Sequence, residues 1–301
     1  MTTKRTAILL ASATAFIWGL SFLSIKTAVA VVPPMSLALA RFVVAVAVFI
    51  VIFVAMRKRP RLAPRDIPLM AGTGLVGVTL YFLGENNGIM LLSASEASII
   101  VGTIPVLTML AERVFKKSRL TGLQYGGAAM SAAGVVLMVV ESLRLSAAPL
   151  GYIYMGIAAL AWVAYAILTR PLLEKYDSLE ISFWQSLFGA MGFVPLALAE
   201  KVEWAAITPV IVANILYLGI FCSALGYLFY VISLQVLGAG VSSVFINLIP
   251  VVSVVASFFV LGERLSPTQL AGGGVAVAGV YLTSLSGSGS RRERRLSRER
   301  Q

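Results

Sequence analysis

The chain has 301 residues, of which 59% are hydrophobic and only 12% are charged, with no histidine and a single cysteine, Cys222. Soluble globular domains carry about 25% charged residues, so this composition indicates a membrane protein. It also excludes an imidazole metal site, a histidine-based catalytic triad and an internal disulfide. Most of the net charge of +11 falls in loops and in the C-terminal tail, and no nucleic-acid partner is expected.

Apolar runs of about 20 residues recur along the whole chain, and this is the length that a helix needs to cross a bilayer. Proline, glycine and charged residues separate the runs. The predicted fold is therefore an all-α, polytopic membrane protein with ten transmembrane helices. These helices are placed at 7–31, 36–56, 67–91, 95–114, 121–140, 150–170, 179–199, 207–232, 239–261 and 268–286.

Lysine and arginine residues are distributed unequally between the two sides of this arrangement. With a cytoplasmic N-terminus, 19 of them fall in cytoplasmic loops or termini, and only Arg144, Lys201 and Arg264 fall in the outer loops. This asymmetry fits the positive-inside rule and predicts a multi-pass protein of the bacterial inner membrane with both termini in the cytoplasm. The basic tail, 287–301, is predicted to be disordered and to lie near anionic lipid.

The two halves of the chain resemble each other. Residues 92–137 align without gaps on 237–282, so that Ile104-Pro105-Val106 matches Ile249-Pro250-Val251. Five helices in each half is an odd number, so the second half must enter the membrane from the opposite side. Such inverted repeats are typical of secondary transporters. The predicted units are a first repeat at 1–145, an inverted second repeat at 146–286, and the tail.

Specific segments resemble a known family. The run "AFIWGLSFLSIKTAV", followed by "PPMSLALARF", is similar to the start of an EamA-type repeat of the drug/metabolite transporter superfamily. The run "NLIPVVSVVASFFVLGERLSPTQLAGGGVAVAGVYL" is similar to the end of such a repeat. The resemblance covers residues 7 to 286, which is nearly everything but the tail.

This resemblance implies ten helices, small organic substrates and no nucleotide. Within the family the chain is most similar to the YddG-type exporters of aromatic amino acids. The two repeats differ at one point, because Gly262-Glu263 of the second repeat is replaced by Lys117-Ser118 in the first.

Among the charged residues of the predicted helices, three stand out as candidates for transport: Lys26, Arg41 and Glu85. A charge at a helix centre costs ~2.5–3.5 kcal/mol on insertion scales, so each needs a partner, water or a position near the headgroups. With a rise of 1.5 Å per residue, all three fall in the outer third of the membrane. They form either a cluster at the mouth of a cavity, able to meet the carboxylate and ammonium of an amino acid, or separate side chains that reach the headgroups.

Glu85 is one helical turn from Tyr81, which places the two on one face. It is the candidate proton carrier within a span if transport is coupled to protons. Asn86 and Asn87 point elsewhere and either close the helix or bond a neighbour.

Aromatic and polar residues recur at helical spacing on several predicted helices and indicate an aromatic-lined cavity for planar, apolar substrates. The alternatives are core packing and an interfacial belt, and the belt is favoured for Trp184. The predicted cavity residues are Trp18, Phe22, Lys26, Arg41, Tyr81, Glu85, Ser98, Trp162, Tyr165, Gln185, Tyr227, Tyr230, Ser243 and Asn247.

Two further patterns concern the helices themselves. Pro105 and Pro250 lie within the fourth and ninth helices, where a proline removes a backbone bond and either forms a hinge or shapes the bundle. The fifth and tenth helices carry "GGAAMSAAG" and "GGGVAVAG". Small residues at four-residue spacing predict close helix packing at the outside of the bundle.

These observations predict a secondary transporter that exports small organic solutes, amino acids including aromatic ones, by alternating access. A passive channel or lipid scramblase is the alternative. An intramembrane enzyme is disfavoured because the chain has no histidine and both Asp66 and Asp177 fall in loops. The expected partners are a small-molecule substrate, membrane lipids and, if transport is coupled, a proton, with no cofactor.

Overall fold

In this computed structural model the described residues are 2–92, 94–116, 120–140, 148–261 and 266–285, and they contain helices and turns but no strand. The predicted tail, 287–301, lies outside these residues, as do Lys117-Ser118, Gly262-Glu263, Arg144 and Arg264. Ten helical segments occur in the described ranges. They are α1 Lys4–Val29, α2 Pro34–Ala55, α3 Pro64–Leu91, α4 Ala94–Lys116, α5 Gly122–Val139, α6 Pro149–Thr169, α7 Ser178–Leu198, α8 Pro209–Leu237, α9 in two parts at Ala239–Val244 and Leu248–Leu261, and α10 Pro267–Leu285.

The described helices have the composition of a polytopic membrane protein. Six segments are long and apolar enough to cross a membrane by length and composition, and they belong to α2, α3, α6, α7, α8 and α9. This confirms the predicted all-α membrane fold. The largest apolar core lies between α2, α3, α6, α7 and α8. At its centre the fully buried ring of Phe42 packs on Phe82 at 5.3 Å and on Phe193 at 5.9 Å.

Local capping explains where several helices begin. The side chain of Thr3 accepts the backbone N–H of Thr6 at 3.2 Å, so α1 begins at Lys4 rather than at residue 7. Thr121 and Gln124 form a reciprocal capping box at the start of α5.

The predicted end of α8 at residue 232 is wrong. The helix continues to Leu237, because the polar side chain of Ser233 is satisfied by hydrogen bonds inside the bundle. The hydroxyl of Ser233 donates to the carbonyl oxygens of Phe229 at 2.8 Å and Ala7 at 3.0 Å. The helix ends at Gly238, whose φ of +83° is a conformation that glycine adopts without strain.

Two helices contain wide π-helical turns that the sequence did not predict. They are Leu75–Leu80 in α3 and Leu218–Gly226 in α8. The register that aligns 92–137 with 237–282 places the first of them on 220–225, inside the second. The corresponding helices of the two halves, α3 and α8, are therefore interrupted at the same position of the alignment. Such turns leave carbonyl groups without their usual helical donor and are frequent at functional sites.

The two prolines have different surroundings. Pro105 lies inside α4, whereas Pro250 follows a 3-10 turn at Phe245–Asn247 that divides α9. Because proline has no N–H, the carbonyl of Ile246 receives no helical hydrogen bond from that position.

The small residues of α5 and α10 bring these two helices into close contact, as predicted. A Cβ atom placed on Gly134 would lie 2.3 Å from the backbone nitrogen of Ala276. Only glycine allows this approach. The cavity described below takes no residue from either helix.

Candidate substrate cavity

The molecule has two ends that differ in charge. We call the end that carries the start of α1, the α2–α3 loop and the α6–α7 loop the basic end, because these segments hold Lys4, Arg5, five basic residues at 57–65, Arg170 and Lys175. The other end, which carries the α1–α2 and α7–α8 loops, is called the opposite end.

A cavity of about 50 Å³ lies between the middle of the bundle and the opposite end. On α1 it extends from Trp18 to Ile25, and on α3 it reaches Glu85. Seven helices contribute to its wall: α1, α2, α3, α4, α6, α8 and α9. The lining residues are Trp18, Ser21, Ile25, Arg41, Tyr81, Phe82, Glu85, Val101, Ile104, Trp162, Tyr227, Ile246 and Ile249.

Equivalent positions of the two halves face each other across this cavity. The sequence alignment pairs Val101 with Ile246 and Ile104 with Ile249, and all four line the wall. Trp18 and Trp162, which match with a shift of one residue, also both line it. The cavity is therefore built by both halves of the chain at corresponding positions.

The deepest part of the wall is a cluster of aromatic rings. Trp18 lies edge-on to Trp162 with ring centroids 5.4 Å apart, and Tyr227 is 5.6 Å from Trp18. Trp162 also contacts Tyr81 at 5.0 Å and Tyr230 at 4.9 Å. Edge-to-face and tilted pairs at these distances are attractive beyond the area that they bury.

The π-helical turns hold two of these rings in place. The indole N–H of Trp18 donates to the carbonyl of Cys222 at 2.9 Å, inside the wide turn of α8. The hydroxyl of Tyr227 donates to the carbonyl of Gly77 at 3.1 Å, inside the wide turn of α3. Carbonyls within the irregular turns thus accept the hydrogen bonds that orient the aromatic wall.

Arg41 supplies a positive charge to the cavity wall. Its side chain is buried by protein, with the whole residue only 3% exposed. The Nε atom donates to the hydroxyl of Ser223 at 2.8 Å, and the guanidinium lies 4.6 Å from the centre of the Phe82 ring. Within the described residues no carboxylate lies within 4.0 Å of it. The positive charge of Arg41 is therefore stabilised by the Ser223 hydroxyl and the face of the Phe82 ring, and the guanidinium borders the cavity.

Glu85 supplies the negative charge. One of its carboxylate oxygens accepts the hydroxyl hydrogen bond of Tyr81 at 2.6 Å, across one turn of α3. Glu85 and Arg41 both line the cavity without forming an ion pair. A small apolar space with one cationic and one anionic group is suited to a zwitterion.

A layer of buried polar side chains lies between the aromatic cluster and the basic end. The amide nitrogen of Gln185 donates to the hydroxyls of Thr73 at 3.0 Å and Thr169 at 2.9 Å. The hydroxyl of Tyr165 donates to the amide oxygen of Gln185 at 3.1 Å. All four residues are at most 1% exposed. This network closes the bundle on the side of Trp162 that faces the basic end.

The predicted cavity residues fall into three groups. Trp18, Arg41, Tyr81, Glu85, Trp162 and Tyr227 line the cavity. Five lie off its lining and are buried: Tyr165, Gln185, Tyr230, Ser243 and Asn247. The side chains of Phe22, Lys26 and Ser98 lie outside the described part of the structure.

The two asparagines after Glu85 do not end α3, which continues to Leu91. The amide of Asn86 donates to the carbonyl of Pro34 at 3.1 Å, so this residue bonds the start of α2. The amide of Asn87 donates to the carbonyl of Leu83 at 2.8 Å within α3.

Several lining residues were not among the predicted cavity residues. Ser21 and Ile25 continue the face of Trp18 at spacings of three and four residues. The aliphatic residues of α4 and α9 lie beside the paired prolines. Helical spacing from Trp18 and the repeat alignment could have found them. Among the described residues, no group of three cysteine, aspartate or glutamate side chains could hold a metal ion.

Comparison with known proteins adds three findings. The sequence model of the EamA-like transporter family matches residues 5–140 and again 149–285. A protein of Streptantibioticus cattleyicolor, named as a probable terminal-alkyne amino-acid exporter, is 30% identical over 78% of both chains. An uncharacterized transporter of Archaeoglobus fulgidus is 28% identical over 88% of this chain and 94% of its own.

The fold also matches a solved crystal structure. The TM-score is 0.79, with 20% sequence identity, and the match covers 93% of this chain and 98% of the other. At this identity the likeness concerns the arrangement of helices alone.

Proposed function

Because the chain belongs to the EamA-like transporter family, we propose that this membrane transporter exports amino acids, aromatic ones included, from the cytoplasm by alternating access. One observation carries the proposal: a cavity with walls of aromatic rings that also contains one guanidinium and one carboxylate. The amino-acid exporter named among the relatives supports this substrate class.

The chemistry of the wall fits an amino acid. Arg41 would meet the substrate carboxylate through its two terminal nitrogens, since its Nε is bonded to Ser223. Glu85 would meet the ammonium group. The side chain would lie against the rings of Trp18 and Trp162, where dispersion and ring contacts favour planar, apolar groups.

The size of the cavity indicates that the protein must open to take its substrate. A volume of about 50 Å³ has room for about four water molecules. Small-molecule sites usually measure about 300–1,000 Å³. In this conformation the protein is thus nearly closed around the cavity. We infer that the cavity widens toward the opposite end when substrate is admitted or released.

The matching of the family model to both halves supports the proposed units, 1–145 and 146–286, as inverted repeats. In the proposed orientation the basic end faces the cytoplasm and both termini lie there. Two halves that enter the membrane from opposite sides can exchange conformations, and that exchange would expose the shared cavity to each side in turn.

A passive channel is the second candidate, and the buried layer around Gln185 disfavours it. A channel needs a continuous wet path, whereas this layer is fully buried and hydrogen-bonded between the cavity and the basic end. A carrier needs such a layer, because one side must be closed while the other is open.

The test is counterflow of labelled phenylalanine into liposomes that contain the purified protein and are preloaded with unlabelled phenylalanine. A carrier gives transient accumulation and saturable flux, with protein-free liposomes as the control. Flux that rises linearly with concentration and shows no counterflow would support the channel and reject the proposal. Repeating the assay with a pH gradient tests proton coupling.

A further inference from the structure

A buried carboxylate at the basic end joins three helices and takes no part in the cavity. Glu112, on α4, is 3% exposed. Its carboxylate accepts the backbone N–H groups of Ala239 at 3.2 Å and Gly240 at 3.0 Å, at the start of α9. It also accepts a hydrogen bond from Nη1 of Arg170, just after α6, at 3.3 Å. We call this set of interactions the Glu112 contact.

The Glu112 contact connects the two halves of the protein. Glu112 belongs to the family segment 5–140, whereas Arg170, Ala239 and Gly240 belong to the segment 149–285. The helices that it connects also form part of the cavity wall, through Ile104 on α4 and other residues on α6 and α9. Separation of α4 from α9 at the basic end therefore requires this contact to break.

The fit of the carboxylate is close. A Cβ atom on Gly240 would lie 2.8 Å from one of its oxygens, so a side chain at this position would displace the carboxylate. Backbone donors and a guanidinium offset the cost of burying the charge.

Arg170 connects the buried carboxylate to water. Its side chain is 42% exposed, whereas that of Glu112 is 4% exposed. When the helices separate, water can hydrate both charged groups, so the contact is strong in the closed state and reversible.

A second ion pair at the basic end has a similar exposure to solvent. Lys175 lies 2.6 Å from Asp66 and its side chain is 44% exposed. The hydroxyl of Tyr176 donates to the same carboxylate at 2.8 Å. This pair joins the start of α3 to the α6–α7 turn, and it does not involve the helices α4 and α9.

We propose that the Glu112 contact holds the basic end closed in this conformation and must break before that end can open. The inference rests on the alternating-access part of the proposed function and not on the identity of the substrate. Weakening the contact should move the equilibrium between conformations toward the form that is open at the basic end.

Two reporter cysteines can measure that shift without any substrate. The natural thiol is removed by Cys222→Ser. Ala166→Cys then reports on the basic side, because Ala166 is fully buried on α6 between Trp162 and Arg170. Ile25→Cys reports on the cavity near the opposite end. A water-soluble maleimide is the probe, and the measurement is the labelling rate of each reporter.

Glu112→Gln should raise the labelling rate of Ala166→Cys by about tenfold, the order expected when a charged acceptor is lost. The rate of Ile25→Cys should fall, since one conformation gains population at the expense of the other. Arg170→Gln keeps the hydrogen bonds between Glu112 and the backbone. It should therefore shift the labelling rates of both reporters in the same directions as Glu112→Gln, but by a smaller factor. It also provides the test if Glu112→Gln does not fold.

Unchanged rates would overturn the inference, and so would a rise at both reporters, which indicates a loosened fold. Glu174→Gln is the matched control, because Glu174 is an exposed acid at the same end. Opposite shifts in labelling together with no counterflow of phenylalanine would retain the Glu112 contact and reject the proposed substrate.

Discussion

Replacing Arg41 by glutamine should separate the recognition of the substrate carboxylate from all other parts of transport. Arg41→Gln removes the guanidinium from the cavity wall and keeps a side chain that can still hydrogen-bond. The residue is 3% exposed and its Nε donates to Ser223 at 2.8 Å. The remaining donors of the guanidinium are those that would bind a carboxylate.

The size of the effect follows from these contacts. A hydrogen bond to a charged group contributes ~1.5–3 kcal/mol, and ~1.4 kcal/mol corresponds to tenfold in affinity. The apparent affinity for phenylalanine should therefore fall by about 10- to 100-fold. Folding stability should change little, because the lost bond to Ser223 and the lost contact with Phe82 are offset by the relief of burying a charge.

The assay compares phenylalanine with phenethylamine, which has the same ring and ammonium group but no carboxylate. Each is tested as an inhibitor of labelled counterflow in liposomes. Wild-type protein should prefer phenylalanine, and Arg41→Gln should lose this preference while its affinity for phenethylamine is retained. Arg41→Lys keeps the positive charge but lacks the planar guanidinium. Its preference for phenylalanine over phenethylamine should therefore lie between those of the wild-type protein and Arg41→Gln.

An equal loss of affinity for both compounds would refute the reasoning. It would mean that Arg41 maintains the shape of the cavity and does not bind the carboxylate. The same conclusion would follow if Arg41→Gln kept the wild-type preference.

Three further predictions concern other parts of the structure. Glu85→Gln should lower the apparent affinity for phenylalanine, because it removes the charge that would meet the ammonium group. At saturating phenylalanine it should keep counterflow but abolish accumulation driven by a pH gradient, and gradient-driven accumulation in this variant would exclude Glu85 as the proton carrier. Trp162→Phe should lower phenylalanine counterflow several-fold with unchanged protein yield, because the indole contacts several cavity rings, whereas Trp204→Phe, at a site 77% exposed, should change neither. Gly134→Leu should destabilise the fold by about 1–3 kcal/mol, the usual cost of overpacking, because its Cβ would meet the α10 backbone. Gly126→Leu, on the same helix but with open space around the residue, should leave the stability of the fold unchanged. Equal melting temperatures of the two variants in detergent would contradict this account.

The role of the charged residues in the membrane-spanning helices could be predicted from the sequence, because placing a charge in lipid has a high free-energy cost. An ionic group in hydrocarbon has few stable places, so Arg41 and Glu85 predict a shared polar site before any coordinates. The structure places both on one cavity. Tyr81 followed from Glu85 by helical spacing, and its hydrogen bond to Glu85 agrees with that reasoning.

The position of Gln185 could not be read in the same way. Its polarity suggested the cavity, but the residue lies behind Trp162, where Thr73 and Thr169 accept its hydrogen bonds. Those partners are far apart in the sequence. A buried amide can either line a cavity or be satisfied by other side chains, and only the neighbouring helices decide which occurs.

The wide turns of α3 and α8 carried no recognisable signal. A π-helical turn needs no proline and no unusual composition, and the sequences of Leu75–Leu80 and Leu218–Gly226 are ordinary apolar runs. Their effect is tertiary, because carbonyls in these turns bond Tyr227 and Trp18 on other helices.

The sequence by itself determined the membrane class, the ten helices and the likeness of the two halves, because these depend on local apolar length and on the repetition of residues along one chain. Only the tertiary structure decided which side chains share the cavity, which are buried behind it, and that Glu112 joins the two halves at the basic end. The physical reason is that the direction of a helical side chain depends on the rotation of its helix against its neighbours, and that rotation is set by packing between residues distant in sequence.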